Sequence, residues 1–209
     1  MADALDPVPP VFTIGHSTRP LEAFLDLLVR HGVTALADVR SVPYSRWQPQ
    51  FNQDSLKRAM RQREIAYVFL GKELGARTED RSCYVDGRVA YRRLAATDTF
   101  RQGLARVVEG SGKESIALMC AEGDPLDCHR TILIARELVA DGLEVQHILP
   151  DGSLEPHVET MRRLLGKLRL LQQGFFDSPE SLIERAYAEQ EKRIAYVDRA
   201  LVAEGSSAE

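Results

Sequence analysis

The sequence predicts a single α/β domain: a doubly wound, Rossmann-like, mostly parallel five-stranded sheet with helices on both faces. Three observations support this prediction. Five short apolar segments alternate with amphipathic segments between residues 11 and 152. The five segments are continuous apolar runs, which is typical of strands that are buried on both faces. Strict alternation of strand and helix favours right-handed crossovers between parallel strands.

The predicted strands cover residues 11–14, 33–39, 65–70, 115–120 and 143–149. The segments between them place apolar residues at helical spacing, with polar candidates for the N-cap and glycine at the C-terminal end. One such helix is expected to begin at Asp124-Pro125 and to run to Gly142, with Cys128 and Ile132 on the same face. Residues 71–96 have weak periodicity and many charges, and they are expected to form a long irregular excursion.

The segments outside the sheet divide the chain into four parts. We expect a flexible, Pro-rich arm over residues 1–10, the α/β domain over 11–152, a helical extension over 153–203 and a flexible tail over 204–209. The extension is predicted to contain two amphipathic helices, the second over residues 178–201 and peripheral to any site. Its narrow apolar stripe must be buried, either on the domain or in a homodimer, so both monomer and homodimer remain open.

Composition excludes several classes of protein. The chain has 209 residues, and its formal net charge of −4 argues against coating nucleic acid by bulk charge. No apolar run approaches the roughly 18 residues that a membrane span needs, so no membrane partner is expected. The N-terminus lacks the features of a secretory signal, and three cysteines cannot all be paired. We therefore expect a cytoplasmic protein.

Polar residues gather where three of the predicted strands end. Because ligands bind outside the carboxyl ends of parallel strands, these residues are expected to line one cleft. They are His16 and Ser17 after the first strand, Asp38, Arg40, Ser45 and Arg46 at and after the second, and Cys120, Glu122, Cys128, His129 and Arg130 at and after the fourth.

The first functional hypothesis is an enzyme that acts on a nucleotide or another anion derived from nucleic acid. His16, Glu122 and His129 are the candidates for proton transfer, since imidazole and carboxylate groups exchange protons near neutral pH. The candidates for substrate binding are Ser17, Asp38, Arg40, Ser45, Arg46 and Arg130. Guanidinium forks suit phosphate and carboxylate groups, which is why the arginines point to an anion.

Two alternatives remain open. One is a non-catalytic module that binds a small anionic ligand or nucleic acid. Residues 46–93 carry 11 Lys and Arg against 6 Asp and Glu, and Tyr44, Trp47 and Phe51 could stack on bases. The other is a thiol or metal protein built on Cys120, Cys128 and His129, which are all metal-ligand types although their spacing is not that of a standard zinc site.

The two cysteines near the fourth strand have simpler interpretations as well. Each fits a small buried hydrophobic residue, and an oxidised pair is geometrically possible. Cys83, in the charged excursion, is expected to be the most reactive thiol because its surroundings are polar. The sequence names no cofactor.

The same residues carry a resemblance to a known family. The motifs are Thr13 to Ser17; Asp38 to Arg40 with Pro43, Ser45, Arg46 and Phe51; and Cys120 to Glu122 followed by Cys128 to Arg130. With Leu74-Gly75 and His147, they resemble the domain of unknown function 488 (DUF488) family over roughly residues 11–151. The resemblance implies a small α/β domain of bacterial or archaeal origin whose biochemical activity is not established. Residues 71–96, including Cys83, and the helices after residue 151 depart from the family pattern.

Overall fold

The five predicted strands all form, and they lie side by side in one parallel sheet. The computed structural model describes residues 9–172 and 178–206. Its strands are β1 (Val11–Gly15), β2 (Ala35–Asp38), β3 (Ala66–Phe69), β4 (Tyr84–Val85), β5 (Arg88–Val89), β6 (Ile116–Cys120), β7 (Val145–Ile148) and β8 (Leu154–Pro156). The main sheet has the order β3-β2-β6-β1-β7-β8, which confirms the α/β class with a mostly parallel sheet.

The prediction of five strands is wrong by one, because β8 adds an antiparallel strand at the edge of the sheet. Gly152 has a φ of +85°, which allows the chain to reverse directly after β7. Leu154 then pairs with Ile148. β8 has only three residues, so it is too short to show an alternating apolar pattern in the sequence.

Helices cover both faces of the sheet, as the doubly wound pattern predicts. They are α1 (Leu21–Arg30), α2 (Gln53–Gln62), α3 (Gly71–Leu74), α4 (Tyr91–Ala95), α5 (Asp98–Ser111), α6 (Arg136–Ala140), α7 (His157–Lys167), α8 (Pro179–Ile194) and α9 (Arg199–Ser206). One buried apolar cluster joins α1 and α2 to the face that carries Ile14 and Leu36. The other cluster joins the helices α5, α6, α7 and α8 to the opposite face, which carries Val11 and Leu118.

The helix predicted to begin at Pro125 is interrupted. Asp124 accepts a hydrogen bond from the backbone N–H of Leu126, but it caps only a short 3-10 turn, Pro125–Asp127. Cys128 is extended, with φ −136° and ψ 142°. A π-helix, Arg130–Ala135, then leads into α6. Cys128 therefore does not share a helical face with Ile132, because it is an extended residue between the 3-10 turn and the π-helix.

The two helices predicted after residue 153 become three α-helices within the described residues. The helix expected over residues 178–201 ends at Ile194. The backbone N–H of Val89 donates to Tyr196 O at 3.0 Å, and that of Asp198 donates to Gly87 O at 2.7 Å. These strand-like bonds to the β4–β5 hairpin replace helical ones, so the chain resumes a helix only at α9.

The two ends that were predicted to be flexible lie largely outside the residues that the structure describes. Residues 1–8 of the expected arm and 207–209 of the expected tail lie outside the described residues, while α9 reaches Ser206 inside the expected tail. None of the helices in the described ranges has the length and apolarity that a membrane crossing requires.

The expected irregular excursion contains α3, the β4–β5 hairpin and α4. Cys83 is fully buried there, in the same apolar cluster as Val89 and Leu94. The expectation of a polar setting for Cys83 is therefore wrong, and burial raises the pKa of its thiol. The hairpin covers this cysteine, although neither of its two-residue strands is long enough to give a sequence signal.

Candidate functional site

A cleft of about 390 Å³ opens at the carboxyl ends of β2 and β6. Its walls come from five separate parts of the chain, which meet only in the folded protein. The lining residues are Arg40, Ser41, Val42 and Tyr44 after β2, Ala76 and Arg77 after α3, Tyr91 in α4, Cys120, Ala121, Glu122, Asp127, Cys128 and His129 around the end of β6, and Ile194 and Tyr196 at the end of α8.

A cysteine–histidine cluster forms the floor of this cleft. The Nδ1 atom of His129 lies 3.6 Å from the Sγ of Cys120 and 3.8 Å from the Sγ of Cys128. The three ligand-type atoms lie within 4.8 Å of one another, and all three residues are buried. The interruption of the helix at Cys128 is what brings its sulfur alongside Cys120, because an extended residue precedes the first turn of the π-helix.

The tautomer of His129 follows from its other nitrogen. Nε2 lies 3.1 Å from the carbonyl oxygen of Val39, which only accepts hydrogen bonds. Nε2 therefore carries a proton, and in the neutral ring the Nδ1 lone pair is directed at the two sulfurs. A histidine that binds a metal through one nitrogen is commonly held in this way, by a carbonyl that accepts from the other.

The two thiols have different proton affinities. The hydrogen bond to Cys128, together with burial, raises the pKa of Cys120 well above its usual value. Burial opposes ionisation of Cys128 too, but the hydrogen bond from Cys120 and the positive charges of Arg130 and His129 hold the pKa of Cys128 well below its usual value. The backbone N–H of Arg130 also donates to the Sγ of Cys128 at 3.5 Å. Of the two thiols, Cys128 is therefore the first to lose its proton as the pH rises.

Glu122 stands beside the cluster on the cleft wall. Its Oε2 lies 3.1 Å from the Sγ of Cys120. Burial of this carboxyl and the nearby charge of Cys128 raise the pKa of Glu122, so the group exchanges protons closer to neutral pH than an ordinary glutamate. Two of the predicted proton-transfer residues, Glu122 and His129, thus face the same cleft.

Arg130 lies behind the cluster, and it does not line the cleft. Its guanidinium is fully buried and donates to the carbonyl oxygens of Glu122 and Gly123 at 2.8 and 3.1 Å. The loop after β6 can lie against β1 because Gly15 has no side chain: a Cβ there would come within 1.8 Å of Glu122 O. Arg130 therefore shapes the loop that carries Glu122.

Asp38, Arg40 and His16 form a second buried group at the same edge. Arg40 donates to both carboxylate oxygens of Asp38, at 2.9 and 2.6 Å, and to Phe51 O at 2.8 Å. His16 stacks on Phe51 at 4.4 Å, and its Nε2 lies 3.3 Å from Arg40 Nη1. Burial, with the charge of Arg40, lowers the pKa of His16 to about 4, although the bond to Ser17 O opposes the shift.

The remaining predicted residues lie apart from the cluster. Ser17 has a φ of 50° and follows β1 next to Gly123. Ser45 accepts hydrogen bonds from the backbone N–H groups of Trp47 and Gln48, so it orders the loop after β2. Arg46 is exposed, and it is not among the residues of the cleft wall. The structure thus brings together Arg40, Cys120, Glu122, Cys128 and His129 in the cleft, with His16, Asp38 and Arg130 packed behind it.

Sequence reasoning missed Arg77, Tyr91 and Tyr196. Arg77 and Tyr91 come from the stretch without clear periodicity, and Tyr196 follows α8, which was expected to be peripheral. The guanidinium of Arg77 stacks on the ring of Tyr196 at 4.8 Å. The Leu74-Gly75 motif, two residues from Arg77, was the available signal for this part of the wall.

Comparison with known proteins gives one informative match. No curated protein and no solved structure matches the chain. The model of the family described as "Domain of unknown function DUF488" matches residues 20–136, which is more than half of the chain. The match begins before α1 and contains Arg40 and the whole Cys120–Cys128–His129 cluster, so the chain belongs to the DUF488 family.

Proposed function

We propose that the protein is a metalloenzyme whose Cys120, Cys128 and His129 bind one transition-metal ion, with zinc as the best fit. The observation that carries the proposal is the pair of sulfur–nitrogen separations, 3.6 and 3.8 Å. Zn–S bonds of about 2.3 Å and Zn–N bonds of about 2.0–2.1 Å at tetrahedral angles require sulfur and nitrogen ligands about 3.6 Å apart. The two sulfur–nitrogen separations are therefore already close to those that zinc requires.

The donor set supports zinc over harder cations. Thiolate and imidazole ligands favour zinc, whereas magnesium and calcium favour oxygen. The bond from Nε2 of His129 to Val39 O leaves Nδ1 available as a ligand, and the Arg130 N–H stabilises the sulfur of Cys128. These partners supply the outer-shell contacts that orient metal ligands.

The open cleft supports catalysis over a purely structural role. Structural zinc sites are closed by four protein ligands, while catalytic sites combine three protein ligands with one position for water or substrate. Here three ligands line a cleft, with the carboxylate of Glu122 beside them. A zinc ion with an open position supplies hydroxide near neutral pH and polarises a substrate oxygen. Glu122 would accept the proton that the attacking water gives up.

The first test is the metal content of the purified protein. We expect about one zinc per chain by elemental analysis of protein purified without chelator. Cys120→Ser, Cys128→Ser and His129→Gln should each lose most of this metal, because each removes one of the three proposed ligands. Cys83→Ser is the matched control: it removes a buried cysteine outside the cluster and should keep the full metal content.

A second candidate function, a metal-free thiol enzyme, is favoured by one observation: the Sγ of Cys128 receives the Arg130 N–H in a cleft wall. Wild-type protein that is folded and reduced, yet takes up no zinc or cobalt from solution, would contradict the metalloenzyme proposal. Rapid alkylation of Cys128 by iodoacetamide in the same sample would support the thiol enzyme.

A further inference from the structure

Arg77 stands out among the cations of the cleft. Its side chain is exposed on the wall next to the cysteine–histidine cluster. Across residues 9–172 and 178–206, its guanidinium makes no hydrogen bond or ion pair, and it packs on the ring of Tyr196, 4.8 Å away. Stacking leaves the N–H groups at the edge of a guanidinium available to an anion.

The backbone holds Arg77 in place. Its own N–H donates to the Oγ of Ser41 at 3.0 Å. Gly75 makes this approach possible, because a Cβ there would come within 2.3 Å of Gly71 O and 2.5 Å of Ser41 Oγ. On the other side, the carbonyl of Tyr196 accepts a hydrogen bond from the N–H of Val89 at 3.0 Å, so the backbone that carries the stacking ring is also anchored.

The other arginine of the cleft and the carboxylate of Asp127 each already have an ion-pair partner. Arg40 is bound to Asp38 in a pair that is almost completely buried. Asp127 lies 3.1 Å from the ammonium group of Lys167. Arg77 is thus a positive group in the cleft wall that forms no ion pair with a carboxylate of the described residues, although Glu79 and Asp198 line the pocket next to it.

We propose that Arg77 binds the anionic group of the substrate, and that the substrate is a small molecule bearing a phosphate or a carboxylate. This inference rests on the proposed function, since it places the reacting part of that molecule at the Cys120–Cys128–His129 centre. A cleft of about 390 Å³ suits a small molecule. A guanidinium fork matches both oxyanions through paired hydrogen bonds.

The test measures binding of inorganic phosphate and, in a separate arm, acetate to the protein as purified, by isothermal titration calorimetry. We expect at least one of the two anions to bind the wild type. Arg77→Met should weaken that binding by about tenfold or more, and Arg77→Lys should give an intermediate loss because it keeps the charge but not the fork. The arm that shows the larger loss identifies the anionic group.

Arg58→Met is the matched control, since it removes an exposed arginine of α2 that is not part of the cleft wall and should change binding less than about twofold. Metal content and melting temperature are measured on every sample. Equal binding by wild type and a folded Arg77→Met variant would overturn the inference, as would a wild type that binds neither anion. A metal-free wild type whose anion binding still depends on Arg77 would instead overturn the metal proposal and leave the anion site standing.

Discussion

At the scale of single residues, the pair formed by Asp38 and Arg40 ties the end of β2 to the loop that follows it. Asp38 is fully buried, and it accepts hydrogen bonds from Arg40 and from the hydroxyl of Tyr67. Arg40 in turn reaches Phe51 O, so one guanidinium organises the whole loop. A buried pair of this kind is costly to break, because the remaining charge stays out of water.

Asp38→Asn should therefore destabilise the protein strongly. The substitution keeps the shape of the side chain but leaves Arg40 without a counter-charge, and we expect a loss of about 3–5 kcal/mol in the free energy of unfolding. Urea denaturation measures it. The matched control is Asp26→Asn, which weakens a solvent-exposed pair with Arg63 and should cost no more than about 1 kcal/mol. Similar losses in the two variants would show that the buried pair is not an organising contact.

At the scale of elements, α8 is part of the cleft. It was expected to be peripheral, but Ile194 at its end and Tyr196 just beyond line the wall. Gln190 holds the helix to the site: its Nε2 donates to Leu126 O at 2.8 Å, in the 3-10 turn that precedes Cys128. The position of Cys128 therefore depends on a contact with a helix more than sixty residues further along the chain.

Gln190→Ala should loosen this contact. The change leaves the buried carbonyl of Leu126 without its partner, and we expect the free energy of unfolding to fall by about 1–3 kcal/mol. Glu189→Ala is the control on the same helix, since Glu189 pairs with Lys192 at the surface and its loss should cost less than about 0.5 kcal/mol. Thermal and urea denaturation of both variants decide the point. A Gln190→Ala variant as stable as the control would mean that α8 docks without this bond.

At the scale of the whole molecule, a buried line of hydrogen bonds runs from β1 to α8. Thr13 Oγ1 lies 2.7 Å from His147 Nδ1, His147 Nε2 lies 3.0 Å from His157 Nδ1, and His157 Nε2 lies 2.7 Å from Tyr187 OH. Burial lowers the pKa of both histidines, that of His157 to about 4. Both imidazole rings in this line of hydrogen bonds are therefore uncharged at neutral pH.

Stability should therefore fall as the pH falls. In the unfolded chain these histidines take up protons below about pH 6.5, whereas in the folded protein His157 resists protonation down to about pH 4. Between these values the unfolded state binds more protons, so each such histidine removes about 1.4 kcal/mol from the free energy of unfolding per pH unit. Urea denaturation at pH 7, 6 and 5 measures the slope. His157→Gln should reduce the slope by about 1.4 kcal/mol per pH unit, which is the contribution of one proton. An unchanged slope would contradict this assignment.

The sequence by itself determined the class of the fold and the positions of its central strands. Five apolar runs separated by amphipathic segments indicate parallel strands, because a strand that is buried on both faces is apolar at every position. The edge strand β8, the break at Cys128 and the end of α8 at Ile194 were not visible there. Each depends on a few backbone hydrogen bonds that leave no periodic signal.

Only the tertiary structure decided which polar side chains face the cleft. Arg130 is buried behind the cleft, and Arg40 lines the cleft but is paired with Asp38. Arg77, from a stretch without clear periodicity, stacks on Tyr196 from the far end of the chain. The sequence placed Cys120, Cys128 and His129 near one strand end, but the contacts with Val39 O and the Arg130 N–H, together with the interrupted helix, bring their sulfur and nitrogen atoms within 4.8 Å of one another. The physical reason is that periodicity is a local signal, which shows only which face of a helix or strand is buried. The partner of a polar side chain is a residue that folding brings from a distant part of the chain.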